Sequence, residues 1–187
     1  MNCHSFVYTI FLCVLSASLF KSEYLACTSL SCGNNNAIKS KAFFTYYENF
    51  PFCCSNSPNY DPKSIEKDCS EDAACDYIGY FAALGNQKLD YVKQNNLVVF
   101  YDNADPDGIY WATNYANRTI EIKKEYKGTI IRFNATIVDQ CDNEICENCC
   151  KNNVNSEGYL ITMEYYTVMR NFGDVNAVDG FIDFTIF

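Results

Sequence analysis

Hydrophobic and polar positions alternate with period two over much of this chain, in short runs set apart by turns. Thr129 to Asp139 carries the pattern most clearly. There Ile131, Phe133, Ala135 and Ile137 alternate with Arg132, Asn134, Thr136 and Val138, which predicts a strand with one face inward. Arg118 to Lys123 reads as another strand. Lys41 to Tyr47 (KAFFTYY) is aromatic and extended in character, and Leu97 to Tyr101 (LVVFY) is apolar throughout, so both are predicted as strands. Phe181 to Phe187 (FIDFTIF) supplies a last one. Pro51 through Pro62 is a loop, and Asp102 to Gly108 is an Asp-rich turn. Helical spacing is read at Glu71 to Leu84, with Ser70 as cap, Ala74, Ile78, Phe81 and Ala82 on one face and Gly85 at its end. A second, short helix is read over Met163 to Phe172, stopped by Gly173. Several short strands with few short helices predict a small, mostly β barrel.

The first residues follow a different pattern. From Phe6 to Phe20 the chain is apolar apart from Thr9, Ser16 and Ser18, and no charge precedes Lys21. This run is shorter than the roughly 20 apolar residues of a membrane span and fits a secretory signal, with Ser16 and Ser18 placed before a cleavage point. The expected organisation is a signal peptide over 1–22, a Cys- and Asn-rich leader over 23–40, and one domain over 41–187. No later stretch approaches a membrane span, so no stable membrane insertion is expected.

Cysteine usage changes the picture from a merely small β domain to a stapled one. Of 12 Cys, Cys3 and Cys13 leave with the signal. Cys27, Cys32, Cys53, Cys54, Cys69, Cys75, Cys141, Cys146, Cys149 and Cys150 remain, an even set that predicts disulfides formed in an oxidising lumen, with the pairing open. The sequons Asn117-Arg118-Thr119 and Asn134-Ala135-Thr136 are acceptable glycan sites, and Asn134 falls on the polar face of its strand. Secretion to the extracellular space is the expected localisation.

Charge and histidine content exclude whole classes of chemistry. A net charge of −9 argues against nucleic acid, which needs clustered Lys and Arg. The single histidine, His4, lies in the expected signal, so Ser-His-Asp and Cys-His catalysis and histidine metal sites are removed from the mature chain. Acid–base chemistry would have to come from Asp, Glu, Tyr or Lys. Cys141-x4-Cys146-x2-Cys149-Cys150 could be written as a tetrathiolate zinc site, but the secretory route favours disulfides. Asn103-x-Asp105-x-Asp107-Gly108 copies the opening of a calcium loop, yet Asn114 stands where a bidentate Glu belongs, so a solvated turn is expected. No metal and no cofactor are therefore expected. Asp139 ends an apolar strand, where it is either a turn residue or a carboxylate delivered to the barrel rim.

Val138-Asp139-Gln140-Cys141, the cysteine loop, Gly158 to Met163, and a helix ending Asn171-Phe172-Gly173 together resemble the double-psi β-barrel domain of expansins. Gly180 to Phe184 is similar to that family's final strand and Ala42 to Tyr46 to its opening one. Ala74-Cys75-Asp76-Tyr77 and Phe81 to Leu84 look like its Ala-Cys-Gly-Tyr and Ala-Ala-Leu elements. The resemblance covers about residues 42–187 and implies a six-stranded double-psi β-barrel, disulfide-stapled, with short helices. The cellulose-binding second domain of full-length expansins has no counterpart.

By that resemblance Asp139 and Thr45 match groove residues, and Thr162 stands where the family has an essential Asp before a Leu or Met. Glu164 is expected on the helix, turned away from that spot. The implied function is a secreted, monomeric protein that binds or loosens wall polysaccharide without hydrolysis. Thr45, Tyr46, Tyr47, Tyr110, Trp111, Tyr115, Asp139 and Thr162 are its candidate contacts, the aromatic rings stacking on sugar faces. Asp139 is the candidate residual acid. The alternatives are a non-catalytic secreted ligand or effector on a barrel scaffold, and a weak barrel-type endoglucanase pairing Asp139 with Glu164 or Asp102.

Overall fold

The structure, a computed structural model, describes residues 37–64, 73–143, 146, 148–154 and 156–187. The signal, the leader up to Asn36, and Cys27, Cys32 and Cys69 lie outside them. Six long strands carry the fold: β1 (Ile38–Tyr47), β4 (Leu97–Asp102), β5 (Thr119–Tyr126), β6 (Thr129–Gln140), β7 (Tyr159–Glu164) and β8 (Phe181–Ile186). They close into a barrel in the order β1-β7-β4-β6-β5-β8. The pairs β1/β7 and β4/β6 are parallel, while β1/β8, β4/β7, β5/β6 and β5/β8 are antiparallel. The expected mostly β, six-stranded, disulfide-stapled barrel is therefore present. Closure leaves no unpaired edge along these strands.

Alternation decides which side chains fill the interior. Ala42 and Phe44, Val98 and Phe100, Ile120 and Ile122, Ala135 and Ile137, Ile161 and Met163, and Ile182, Phe184 and Ile186 point inward and form one core. Phe100 sits among rings, 4.8 Å from Tyr115 and 5.6 Å from Phe184 between centroids. The residues between them face outward, and on the β1-β7-β4-β6 wall two further apolar clusters cover them. Phe50, Phe81, Val92, Leu97 and Val138 form one cap. Tyr101, Leu160 and Cys150, with Phe43 and Cys141 against them, form the other.

Short elements connect the long strands: α1 (Ala73–Asp76), β2 (Tyr80–Phe81), β3 (Gly85–Asn86), α2 (Leu89–Gln94), α3 (Trp111–Asn114), α4 (Cys149–Asn153), α5 (Tyr165–Phe172) and a 3-10 turn at Val175–Ala177. Three sequence expectations are corrected here. Of the helix expected over 71–84, the described part is helical only over Ala73–Asp76, and Tyr80–Phe81 then pairs with Gly85–Asn86 as a hairpin. Gly79 marks the break. Its φ is +75°, and a Cβ there would meet the Gln87 carbonyl oxygen at 2.6 Å, so the helix cannot continue through it. The second helix begins at Tyr165, leaving Met163 and Glu164 in strand β7. The first strand begins at Ile38, ahead of the expected boundary at 41.

Disulfides join Cys54 to Cys75, Cys141 to Cys150 and Cys146 to Cys149, and Cys53 is also disulfide-bonded. Such a set fits an oxidising, extracellular setting. Among the described residues no helix is long and apolar enough to cross a membrane. Asn117 and Asn134 are both exposed.

Candidate functional site

The register of the outer wall brings the polar candidates into a row. Thr45 on β1 pairs with Thr162 on β7, Thr162 with Val99 on β4, and Val99 with Asp139 on β6. A bulge makes the last step possible: the β4/β6 register shifts between Val98 and Val99, so that Val98 faces Ile137 while Val99 faces Asp139. The extra residue, Val138, tucks into the cap containing Phe81 and Leu97. Thr45, Thr162 and Asp139 are half-buried, lying between the two apolar caps. The Thr45 and Thr162 hydroxyl oxygens are 2.9 Å apart, and either can donate.

The hairpin cap fixes the Asp139 carboxylate. Its oxygens accept the backbone N–H groups of Gln140, at 2.9 Å, and Ala82. Ala83 N donates to the Val138 carbonyl at 3.0 Å, anchoring the hairpin on the bulge. Burial pushes the Asp139 pKa up to about 6, and the two N–H donors offset part of that rise.

Beside this row lies a buried polar group that sequence reasoning placed wrongly. Tyr47 pairs with Glu164 two residues along from Thr45 and Thr162, on the same wall. Glu164 is fully buried and caps α5, with Tyr166 N donating to its Oε2 at 2.6 Å. Burial raises its pKa to about 8, opposed by backbone N–H groups of Tyr166, Thr167 and Asn49 and by the positive charge of Arg170. Burial also raises the Tyr47 hydroxyl well above its usual range, and the charges of Glu164 and Asp139 push it further. Tyr47 Oη, Asn49 Oδ1 and Glu164 Oε1 are buried without a hydrogen-bond partner among the described residues. The expectation that a helix turns Glu164 away from Thr162 is therefore corrected. The two side chains stand two residues apart on one strand, because β7 runs on to Glu164 before the helix starts. The alternation Leu160, Thr162, Glu164 against Ile161, Met163 is the sequence signal that could have found it.

The aromatic candidates divide. Tyr46 is exposed, and its ring lies 6.5 Å from that of Tyr165, which in turn packs edge-on against Phe52 at 5.6 Å and Tyr166 at 5.1 Å. Tyr165, Tyr166 and Phe52 extend this group without having been expected. Tyr110 is exposed on another segment, the Asp-rich turn leading into α3. Trp111 and Tyr115 are corrected: both are buried in the barrel core and offer no ring face to a ligand. The Tyr115 hydroxyl donates to Asp102 Oδ2 at 2.6 Å, so Asp102 is engaged there and does not join Asp139.

Comparison of the chain with protein-family models, curated protein sequences and solved structures finds no match. What the site can do rests on its own chemistry. It offers two hydroxyls and a carboxylate in a line, beside a sealed second carboxylate.

Proposed function

We propose that this chain is a secreted, expansin-like protein that binds wall polysaccharide along the Thr45, Thr162 and Asp139 row without hydrolysing it, with glycans at Asn117 and Asn134. The observation that carries this reading is the strand register aligning the three polar side chains between two apolar caps. Sugar hydroxyls can exchange hydrogen bonds with both threonines and with the carboxylate. Hydrolysis needs a proton donor at the leaving oxygen and a base for water. Glu164 is wholly buried and cannot touch a chain lying on the row.

The test is co-sedimentation of the secreted protein with insoluble cellulose, chitin and other wall polymers, alongside reducing-end release from soluble β-glucans. Wild type should bind at least one polymer, Asp139→Ala and Thr45→Val should bind at least several-fold less, and no variant should release reducing ends. Absence of binding to every polymer overturns the reading in favour of a scaffold for a protein ligand. One observation favours a second reading, a weak hydrolase. Near pH 7 the shifted pKa values leave Glu164 protonated and Asp139 ionised, an acid and a base on one wall with strand β4 between their strands. Reducing-end release by wild type, lost in both Asp139→Ala and Glu164→Gln, would establish it.

A further inference from the structure

The loop between β6 and β7 gathers four sulfurs that the polysaccharide reading does not use. Cys141, Cys146, Cys149 and Cys150 place their Sγ atoms within 4.8 Å of one another, although they form two separate disulfides. The bridges touch: Cys146 Sγ lies 3.5 Å from Cys150 Sγ, and Cys149 Sγ lies 3.9 Å from it. Accessibility separates them. Cys146 and Cys149 are both half-buried, whereas the second bridge joins half-buried Cys141 to Cys150, which is fully buried beneath Tyr101 and Leu160. A reductant from solvent therefore meets both sulfurs of the Cys146–Cys149 bridge but only one of the Cys141–Cys150 bridge, and a thiolate formed at Cys146 faces Cys150 Sγ at 3.5 Å.

We propose that these four cysteines form one thiol–disulfide exchange site, whose substrate is an external dithiol. In the first step the dithiol is oxidised to its disulfide and Cys146–Cys149 is reduced, two electrons and two protons passing to the two cysteines. In the second step the Cys146 thiolate attacks Cys150 Sγ, forming Cys146–Cys150 and expelling the Cys141 thiolate. One S–S bond forms as one breaks, and the proton lost by Cys146 is taken up at Cys141. The electrons thus move from the Cys146–Cys149 bridge to a cysteine two residues beyond Asp139, at the end of β6, and release that strand end from α4. This inference is independent of the polysaccharide reading.

The test reads free thiols by alkylation and tandem mass spectrometry after acid quenching. Wild-type protein treated with one equivalent of dithiothreitol should be alkylated at Cys141 as well as at Cys146 and Cys149. A Cys146–Cys150 bridge should appear, and Cys54–Cys75 should stay intact. Alkylation confined to Cys146 and Cys149, with Cys141–Cys150 retained throughout, would overturn the proposal. The variant Cys149→Ser needs no reductant. Its free Cys146 should exchange with the Cys141–Cys150 bridge, giving alkylation divided between Cys146 and Cys141, and a thiol found at Cys146 alone would count against exchange. Should that variant fail to fold, the wild-type titration decides.

Discussion

The two outer walls of the barrel are built from the same alternating strands, yet they treat charge in opposite ways. On the β1-β7-β4-β6 wall the hairpin, α2 and the cysteine loop cover the outward residues, and the carboxylates of Asp139 and Glu164 shift toward their neutral forms. On the β1-β8-β5 wall nothing described covers the strands. An open cleft of about 560 Å³ there is lined by Lys39, Lys123, Arg132, Glu121 and Asp183 among others. Its charges stay in water and pair loosely, Lys123 with Asp183 at 3.7 Å and Arg132 with Glu121 at 3.5 Å. An outward strand position is thus polar by default, and its chemistry is set by what the loops place above it. Water stabilises the charged form on one wall, and its exclusion penalises that form on the other.

Removing the cover should have the largest effect. Phe81 is fully buried in the cap over Leu97 and Val138. Phe81→Ala should cost about 3–5 kcal/mol in urea unfolding, from lost burial and the cavity left behind. Ile130→Ala, at a site 62% exposed, should stay within about 0.5 kcal/mol. Similar losses at both positions would dissolve the distinction between covered and bare outward positions.

The pH dependence of stability sharpens the same comparison. Glu164 binds its proton more tightly folded, with a pKa of about 8, than unfolded, with a value near 4.5. Below pH 4.5 both states are protonated and the group costs nothing. As pH rises from 4.5 to 8, the unfolded chain releases the proton first and gains stability relative to the fold. Wild type should therefore lose stability over that window, by on the order of 3–5 kcal/mol from this group alone. Asp139, raised from 3.8 to about 6, adds a loss of the same sign between those two values. Glu164→Gln keeps the shape without the titration, so most of the slope from pH 6 to 8 should vanish in melts of that variant. An unchanged slope would show that water already reaches Glu164.

The smallest effect belongs to the bare wall. Lys123→Ala breaks an ion pair whose partners are both exposed, so its stability should change by less than about 0.5 kcal/mol. A larger loss would mean that this wall, too, is covered in the working protein.

Much of the barrel was legible in the residues. The strands expected over Thr129 to Asp139 and Leu97 to Tyr101 are found over Thr129–Gln140 and Leu97–Asp102, because alternation and apolar runs report a strand's faces directly. The helix expected over 71–84 is found over Ala73–Asp76, and the part from Tyr77 to Leu84 was read wrongly. Apolar residues at helical spacing can also serve the two faces of a short hairpin, and the contact between Gly79 and Gln87 that breaks the helix joins residues eight positions apart. The candidate site divides in the same way. Asp139 and Thr45 were singled out from the strands that carry them. Trp111 and Tyr115 were chosen for their rings, which the barrel core claims instead, and Glu164 was lost to a helix start placed two residues early.

The sequence by itself determined that this chain makes short strands, closes them around an aromatic and aliphatic interior, and staples its loops with cysteine. Those outcomes follow from side-chain period and from thiol chemistry, both of which are local. Tertiary structure alone decided which outward residues meet. A one-residue bulge sets Asp139 opposite Val99 and in line with Thr162, and a hairpin folded back from residues 80–86 takes water away from the wall beside them. Register and cover arise between segments far apart in the chain, and they raise the pKa of two ordinary carboxylates, far enough at Glu164 to hold its proton at neutral pH.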